Sequence, residues 1–231
     1  MSGRVVVLTG ATGGIGGALA EVFAGESLML LGRNSDRLAS MASGYPGART
    51  VAADLTDAVA VADAVNGALE PGERVDVLVH NAGVAPFGPV AETTHQDWAL
   101  TLAVNVTAPA VLTAALLPRL RAARGHVVFI GSGQSLSAAP RMSAYAASKF
   151  ALRALADSLR AEEREAGIRV TSVYPGQTAT PMQEQLQRHY GRPYRAEDHI
   201  DPRSLAATVR FVVDSPRDAD FTDITVRPGL R

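Results

Sequence analysis

Thr9-Gly10-Ala11-Thr12-Gly13-Gly14-Ile15-Gly16 directly follows the apolar run Val5-Val6-Val7-Leu8 and opens an alanine-rich segment. Glycines between a strand and a helix allow a tight turn and close approach of a pyrophosphate to backbone N–H groups, and the helix N-terminus favours its charge. The spacing is G-x-x-x-G-x-G, not the commoner G-x-G-x-x-G. The alternative is an ordinary glycine-rich turn; the strand before it and the helix after it favour a nucleotide. Gly10, Thr12, Gly14, Ile15 and Gly16 are then the candidate contacts.

The same alternation runs through the chain. Residues 5–9, 28–31, 50–53, 75–80, 126–131, 170–174 and 223–226 read as strands, most of them apolar on both faces, as strands covered on both sides must be. The segments between them read as helices. This predicts an α/β fold: a single doubly wound Rossmann-type domain over residues 1–231, with a parallel sheet of about seven strands and helices on both faces.

Composition narrows the function. At 231 residues and 47% hydrophobic content the chain can bury one good core. A net charge of -1 gives no reason to expect nucleic acid or a membrane surface as partner. With no cysteine, disulfides, thiolate nucleophiles and cysteine-ligated zinc are excluded. His80, His95, His126, His189 and His199 show no ligand spacing, so no metal is expected and His80 reads as a strand-end residue. The start has no apolar leader and no stretch reads as a bilayer span, which makes a cytoplasmic location the expectation.

The strand ends carry the polar candidates. Leu31-Gly32-Arg33 ends the second strand without a carboxylate. An acidic residue there would suit a ribose 2′-hydroxyl, whereas an arginine suits a 2′-phosphate, so NADP(H) is preferred and NAD(H) is the alternative. Asp54-Leu55 follows the third strand; Asp54 either accepts from an adenine amino group or serves the turn before a helix at Asp57. Asn81-Ala82-Gly83 follows the fourth, with room for a cofactor over Ala82 and Gly83 and an amide at Asn81 that can tie neighbouring strands.

Thr93-x-x-Gln96 reads as a capping box opening a long helix. Pro109 within it clashes with the carbonyl of Asn105, so a kink and a free backbone acceptor are expected there. Ser132 ends the fifth strand, and Pro175-Gly176-Gln177-Thr178-Ala179-Thr180 ends the sixth. Residues 181–200 read as a polar, irregular, mobile segment covering a substrate, followed by a helix capped by Asp201-Pro202.

Tyr145 and Lys149 stand four apart in helix-forming surroundings, on one helix face. At ~4 Å and an effective dielectric of about 20, two charges interact by about 4 kcal/mol, roughly three pKa units. That is enough to bring a phenol into working range. Alone, Y-x-x-x-K is a common pairing of an amphipathic tyrosine with a solvated lysine.

Together these elements resemble the classical short-chain dehydrogenase/reductase family from end to end: the 9–16 loop, Asn81-Ala82-Gly83, Asn105, Ser132, Tyr145-x-x-x-Lys149 and Pro175-Gly176, in the family's order. The first loop also reads as Thr-Gly-x-x-Gly-x-x-Gly, the form of the extended branch; the short chain and the Asn-Ala-Gly element favour the classical one. The resemblance implies Tyr145 as general acid or base and Lys149 as the group that lowers its pKa and binds the nicotinamide ribose. It implies Ser132 as the hydrogen-bonding partner of the substrate oxygen and Asn105 as holder of a water leading from Lys149 to solvent. Arg33 resembles the 2′-phosphate contact, Asp54 the adenine contact and Thr180 the threonine of the Pro-Gly-x-x-x-Thr element. The implied activity is hydride transfer between NADP(H) and a carbonyl or secondary alcohol of a small or medium organic substrate, by a homodimer or homotetramer.

Gln134, Met142, Gln177 and Met182 are expected in the pocket wall. Two features depart from the family. The tail after Val226 is short, and Thr178 stands where an aliphatic residue is commoner. The competing readings are an NAD-linked alcohol dehydrogenase and a dinucleotide-sensing protein without turnover.

Overall fold

The computed structural model describes residues 3–229; Met1, Ser2, Leu230 and Arg231, the outer ends of the expected domain, lie outside the described residues. Seven parallel strands form one sheet in the order β3-β2-β1-β4-β5-β6-β7. They are β1 (Val5–Thr9), β2 (Ser27–Gly32), β3 (Arg49–Ala52), β4 (Val77–His80), β5 (His126–Ile130), β6 (Arg169–Pro175) and β7 (Asp223–Val226). The expected 75–80 strand starts two residues late because Val75 and Asp76 bond instead to Arg119 and Val5 carbonyls.

Side chains alternate across each strand, and the two faces of β1 feed two cores. Val5 and Val7 face one with Leu78, Val127, Leu112 and Leu116. Val6 and Leu8 face the other with Leu19, Leu28, Val79 and Val209. The second core is covered by α1 (Gly14–Val22), α2 (Ser35–Ala42) and α8 (Pro202–Asp214), the first by α3 (Ala58–Gly67), α5 (Ala108–Ala123) and α6 (Ser143–Glu162). Strand order reverses between β1 and β4, and in such sheets the crevice beyond the strand ends at that point takes ligands.

Three expectations need correction. The capping box before α4 (His95–Leu102) is Thr94 with Asp97, not Thr93 with Gln96; Thr94 Oγ1 accepts from Asp97 N at 3.1 Å, and Thr94 N donates to Asp97 Oδ2 at 3.0 Å. Residues 181–200 are not irregular throughout. Thr180 accepts from Gln183 N, Pro181 fills the first turn, and α7 (Pro181–His189) follows. The helical run His95–Ala123 is long and apolar enough to cross a bilayer, contrary to expectation. Its Leu112, Leu116 and Leu120 are buried against the sheet.

Pro109 does disturb that run, as a wide π-helical turn at Ala103–Thr107 rather than a simple kink. A π-turn absorbs one extra residue, which lets α4 and α5 continue as one rod around Asn105.

Candidate active site

The crevice is a cleft of about 540 Å³ at the carboxyl ends of β4, β5 and β6. Its wall includes Ser132, Tyr145, Lys149, Asn81, Gly83, Ile15, Pro175, Gly176, Thr178 and Thr180. All four expected pocket residues, Gln134, Met142, Gln177 and Met182, line it too.

Helix α6 delivers Tyr145 and Lys149 to the same cleft. Lys149 is the chain's only lysine, every other basic long side chain being arginine. It is 4% exposed, and its Nζ lies 5.7 Å from the Tyr145 ring centre. That ammonium donates to Ile130 O at 3.0 Å, the last carbonyl of β5. Burial lowers its pKa to about 8. Burial raises the Tyr145 pKa, and the Ser132 hydroxyl offsets this only in part, so the phenol stays above its ordinary value. The balance in this cleft therefore differs from the simple charge pair expected from sequence: burial of both groups outweighs their mutual attraction, so the Tyr145 pKa stands above rather than below its ordinary value.

Ser132 stands in extended backbone just after β5, its Oγ accepting from Gln134 N at 3.1 Å and its own N donating to Ser135 Oγ at 3.2 Å. Asn105 is fully buried in the π-turn. Its Oδ1 accepts from Val84 N at 2.9 Å, while its Nδ2 donates to Val84 O and to Ser148 Oγ, each at 2.9 Å. Ser148 Oγ in turn donates to Tyr145 O at 2.7 Å. The amide thus clamps the chain after β4 to α6, between Tyr145 and Lys149. Sequence reading missed Ser148; the available signal was a serine three residues after the tyrosine, on the helix face towards Asn105.

Two further ties set the floor. Asn81 Nδ2 donates to Thr9 O at 3.0 Å and Gly10 O at 3.1 Å, and Thr9 Oγ1 accepts from Asn81 N and Ala82 N. Thr9, also unassigned from sequence, thereby locks β1 to the chain after β4. Gly10 has φ +65, and a Cβ there would come within 2.8 Å of Ala82 Cα.

The residues fit a dinucleotide. Gly13, the N-cap of α1, offers no side-chain acceptor, and no acidic residue sits in the first turn. Its own N–H is spent on Gly10 O. The next amides, of Gly14, Ile15 and Gly16, are the ones a helix start leaves without intrahelical partners. A Cβ on Gly14 would stand 3.0 Å from Thr180 Cγ2, filling the space between the α1 start and the β6 end.

Other expected contacts lie off the cleft wall. Arg33 and Asp54 are exposed beyond the ends of β2 and β3, while Leu55 packs partly on the core. Asp54 Oδ1 accepts from Thr56 N at 3.0 Å within its turn, and Asp57 caps α3. Arg37, unassigned from sequence, donates to Thr12 O at 3.0 Å from the first turn of α2. Its signal was its place four residues after Arg33. Among the described residues no group of three or more His, Cys, Asp or Glu could hold a metal.

The same architecture recurs in known proteins. Dehydrogenase/reductase SDR family member 7B from Bos taurus is 41% identical over 191 residues, 77% of this chain and 59% of the relative, so the chain spans under two thirds of that protein's length. The crystal structure of a metagenomic short-chain oxidoreductase in complex with NADP matches with a TM-score of 0.83 at 31% identity, over 100% of this chain and 99% of the other. An alcohol dehydrogenase from the archaeon Thermococcus sibiricus, complexed with 5-hydroxy-NADP, matches with a TM-score of 0.86 at 26% identity, over 97% and 96% of the two chains. The family model for short chain dehydrogenase covers residues 4–191, and the chain belongs to this family.

Proposed function

We propose that the protein interconverts a carbonyl and a secondary alcohol on a small or medium organic substrate, with NADP(H) as preferred cofactor and Tyr145 as the proton-transfer group. The observation that carries this is the convergence of Ser132, Tyr145 and Lys149 on one cleft that the uncapped start of α1 also reaches through Ile15.

When bound, the nicotinamide supplies or accepts the hydride. The chain does the rest. Ser132 Oγ already accepts from Gln134 N, which leaves its proton for the Tyr145 phenol oxygen or for a substrate oxygen beside it. Tyr145 gives that oxygen a proton during reduction and takes it back during oxidation. Lys149 keeps two N–H donors after Ile130 O, enough for the phenol oxygen and a ribose hydroxyl. The carbonyl of Asn105, in the π-turn, holds a water that passes protons from Lys149 to solvent. Pro175, Gly176, Thr178 and Thr180 border the nicotinamide end. Gly10, Thr12, Gly14 and Gly16 take the pyrophosphate side, Asp54 and Leu55 the adenine side, and Asn81, Ala82 and Gly83 the stretch of cofactor that crosses the end of β4. Helix α7, with the rest of residues 181–200, covers the substrate. A homodimer or homotetramer in the cytoplasm completes the reading.

NADP(H) is preferred because Arg33 and Arg37 stand at the β2 end without a carboxylate at the strand terminus. NADP and 5-hydroxy-NADP in the two structural relatives support the cofactor class. The test is a panel of ketones and alcohols followed by NADPH absorbance at fixed pH. Tight NADPH binding without turnover of any member would favour the sensing reading. Arg33→Asp should lower kcat/KM with NADPH by about tenfold or more relative to NADH, the scale of one charge-assisted contact. An unchanged ratio removes Arg33 from the assignment.

A further inference from the structure

The charges lining the cleft are all of one sign. Besides Lys149, the charged residues of its wall are Arg141 and Arg192, and no Asp or Glu lines it. Neither arginine has a carboxylate within 4.0 Å among the described residues, whereas Arg188 and Arg195 nearby pair with Glu184 and Asp198.

Arg141 is placed with care. It stands just before Met142, the N-cap of α6, and four residues ahead of Tyr145. Its φ of +66 is a left-handed conformation rare for a long side chain, and its carbonyl accepts from Gly88 N at 3.0 Å. Its Nη2 lies 3.2 Å from His189 Nε2. A guanidinium only donates, so that ring nitrogen accepts, and the other N–H groups of Arg141 are left for a ligand. Arg192, just past α7, stacks its guanidinium 5.4 Å from the Tyr190 ring centre, and Tyr190 OH donates to Pro140 O at 3.5 Å. The two guanidiniums therefore belong to one cluster where the end of α7 meets the chain before α6. The start of α6 adds to the positive field: Met142 offers no side-chain cap, and its first turn has no acidic residue. The same wall carries the apolar side chains of Phe87, Met142, Met182 and Leu186, alongside the amides of Gln134, Gln177 and Gln183.

We propose that the substrate is an apolar-bodied carbonyl or alcohol bearing a carboxylate or phosphate, whose anionic end is held by Arg141 and Arg192 while its carbonyl lies at Tyr145. This names the substrate class of the reading above and rests on it.

The full chain with NADP+ present is titrated by calorimetry with octanoate, octyl phosphate and octanamide. In parallel, kcat/KM is compared for 7-oxooctanoate and 2-octanone, which share chain length and carbonyl position. At least one anion should bind about tenfold or more tightly than octanamide, and the oxo acid should be preferred over the ketone by a similar factor. The order of octanoate and octyl phosphate identifies which anion the cluster suits. Arg141→Asn with Arg192→Gln should bring the ratios to within about twofold of unity, since asparagine tolerates the left-handed backbone. NADP+ affinity and Tm report whether that variant is folded, and Arg192→Gln alone should lower the ratios in part. Octanamide binding as tightly as both anions, or ratios unmoved in a folded variant, overturns the proposal. Anion selectivity that depends on these arginines, with neither C8 carbonyl reduced and no turnover across the wider panel, would sink the catalytic reading and leave the anion site standing.

Discussion

The two edges of the sheet treat charge in opposite ways. At the edge where strands begin, charges are matched within the protein. Arg4 meets Glu26 at 2.6 Å and Asp214 at 2.8 Å, Arg210 meets Glu26 at 3.0 Å, and Arg49 meets Glu73 at 2.7 Å. Val5 N donates to Asp76 Oδ2 at 2.8 Å; Arg169 is the exception at this edge, reaching only the carbonyls of Val213 and Ser215 and keeping a buried Nε without a partner. At the edge where strands end, Lys149 has a carbonyl for a partner, Arg141 an imidazole, and Gln183 is buried with its Nε2 unpartnered. Burying a charge or an amide without a matching group costs free energy. The first edge holds the sheet together; the second keeps polar capacity open for molecules from outside.

This contrast is broken most sharply by removing one oxygen. Tyr145→Phe should lower kcat/KM by about 10²–10⁴-fold, the usual scale for a positioned proton donor, while NADPH affinity and Tm stay near those of the parent. Steady-state rates and a fluorescence titration check both halves. A comparable loss of Tm would move Tyr145 from the chemistry to the scaffold.

At the other edge the signs should exchange. Burial favours the neutral acid of Glu26, but hydrogen bonds from Arg4 and its charge overcome this and hold the carboxyl below its ordinary pKa. Glu26→Ala should cost about 2 kcal/mol in urea denaturation, with kcat per folded molecule unchanged. Because the folded pKa is depressed, Glu26's stabilising contribution is complete well above the ordinary 4.5 and is lost as pH falls through that value and below. The variant should therefore lose its deficit in acid.

Lys149 allows the sign to be tested within the cleft. Burial lowers its pKa from 10.5 to about 8, so between those values the unfolded chain binds the extra proton. Stability contributed by this group then rises as pH climbs from 8 to 10.5, by at most about 1.4 kcal/mol per unit. Lys149→Met should flatten this alkaline rise. Its constant cost, from leaving Ile130 O without a donor, does not depend on pH. With one lysine in the chain, NMR of the reductively methylated side chain reads the pKa directly; a value near 10.5 would contradict burial as the dominant influence.

The strand-end elements were legible in sequence because each carries its own signal. β1 and its glycine loop, Tyr145 with Lys149, and the proline beside Asn105 depend on local geometry. What stayed hidden depends on contacts between distant segments. The bond from Asn105 to Ser148 crosses from the π-turn to α6, and the pairing of Lys149 with Ile130 O crosses from α6 to β5. No spacing rule encodes either. Helix α7 was missed for a different reason. Its buried residues are Gln183 and Gln187 rather than apolar side chains, so no amphipathic stripe marked the helix and polarity concealed the Thr180 cap and the Pro181 start that define it.

Helix α7 also gives the smallest effect and the finest test of the contrast. Glu184 and Arg188 lie 2.6 Å apart across one turn, at 40% and 72% side-chain exposure. This charge pair is matched, like those at the strand-start edge, but it is solvated. An exposed i, i+4 pair contributes about 0.3–0.5 kcal/mol, so Glu184→Gln should shift the urea midpoint barely beyond error, and less again at high salt. If matching alone set the worth of a pair, the loss would rival that of Glu26→Ala. If burial sets it, as the 11% exposure of Glu26 implies, the two variants should separate severalfold.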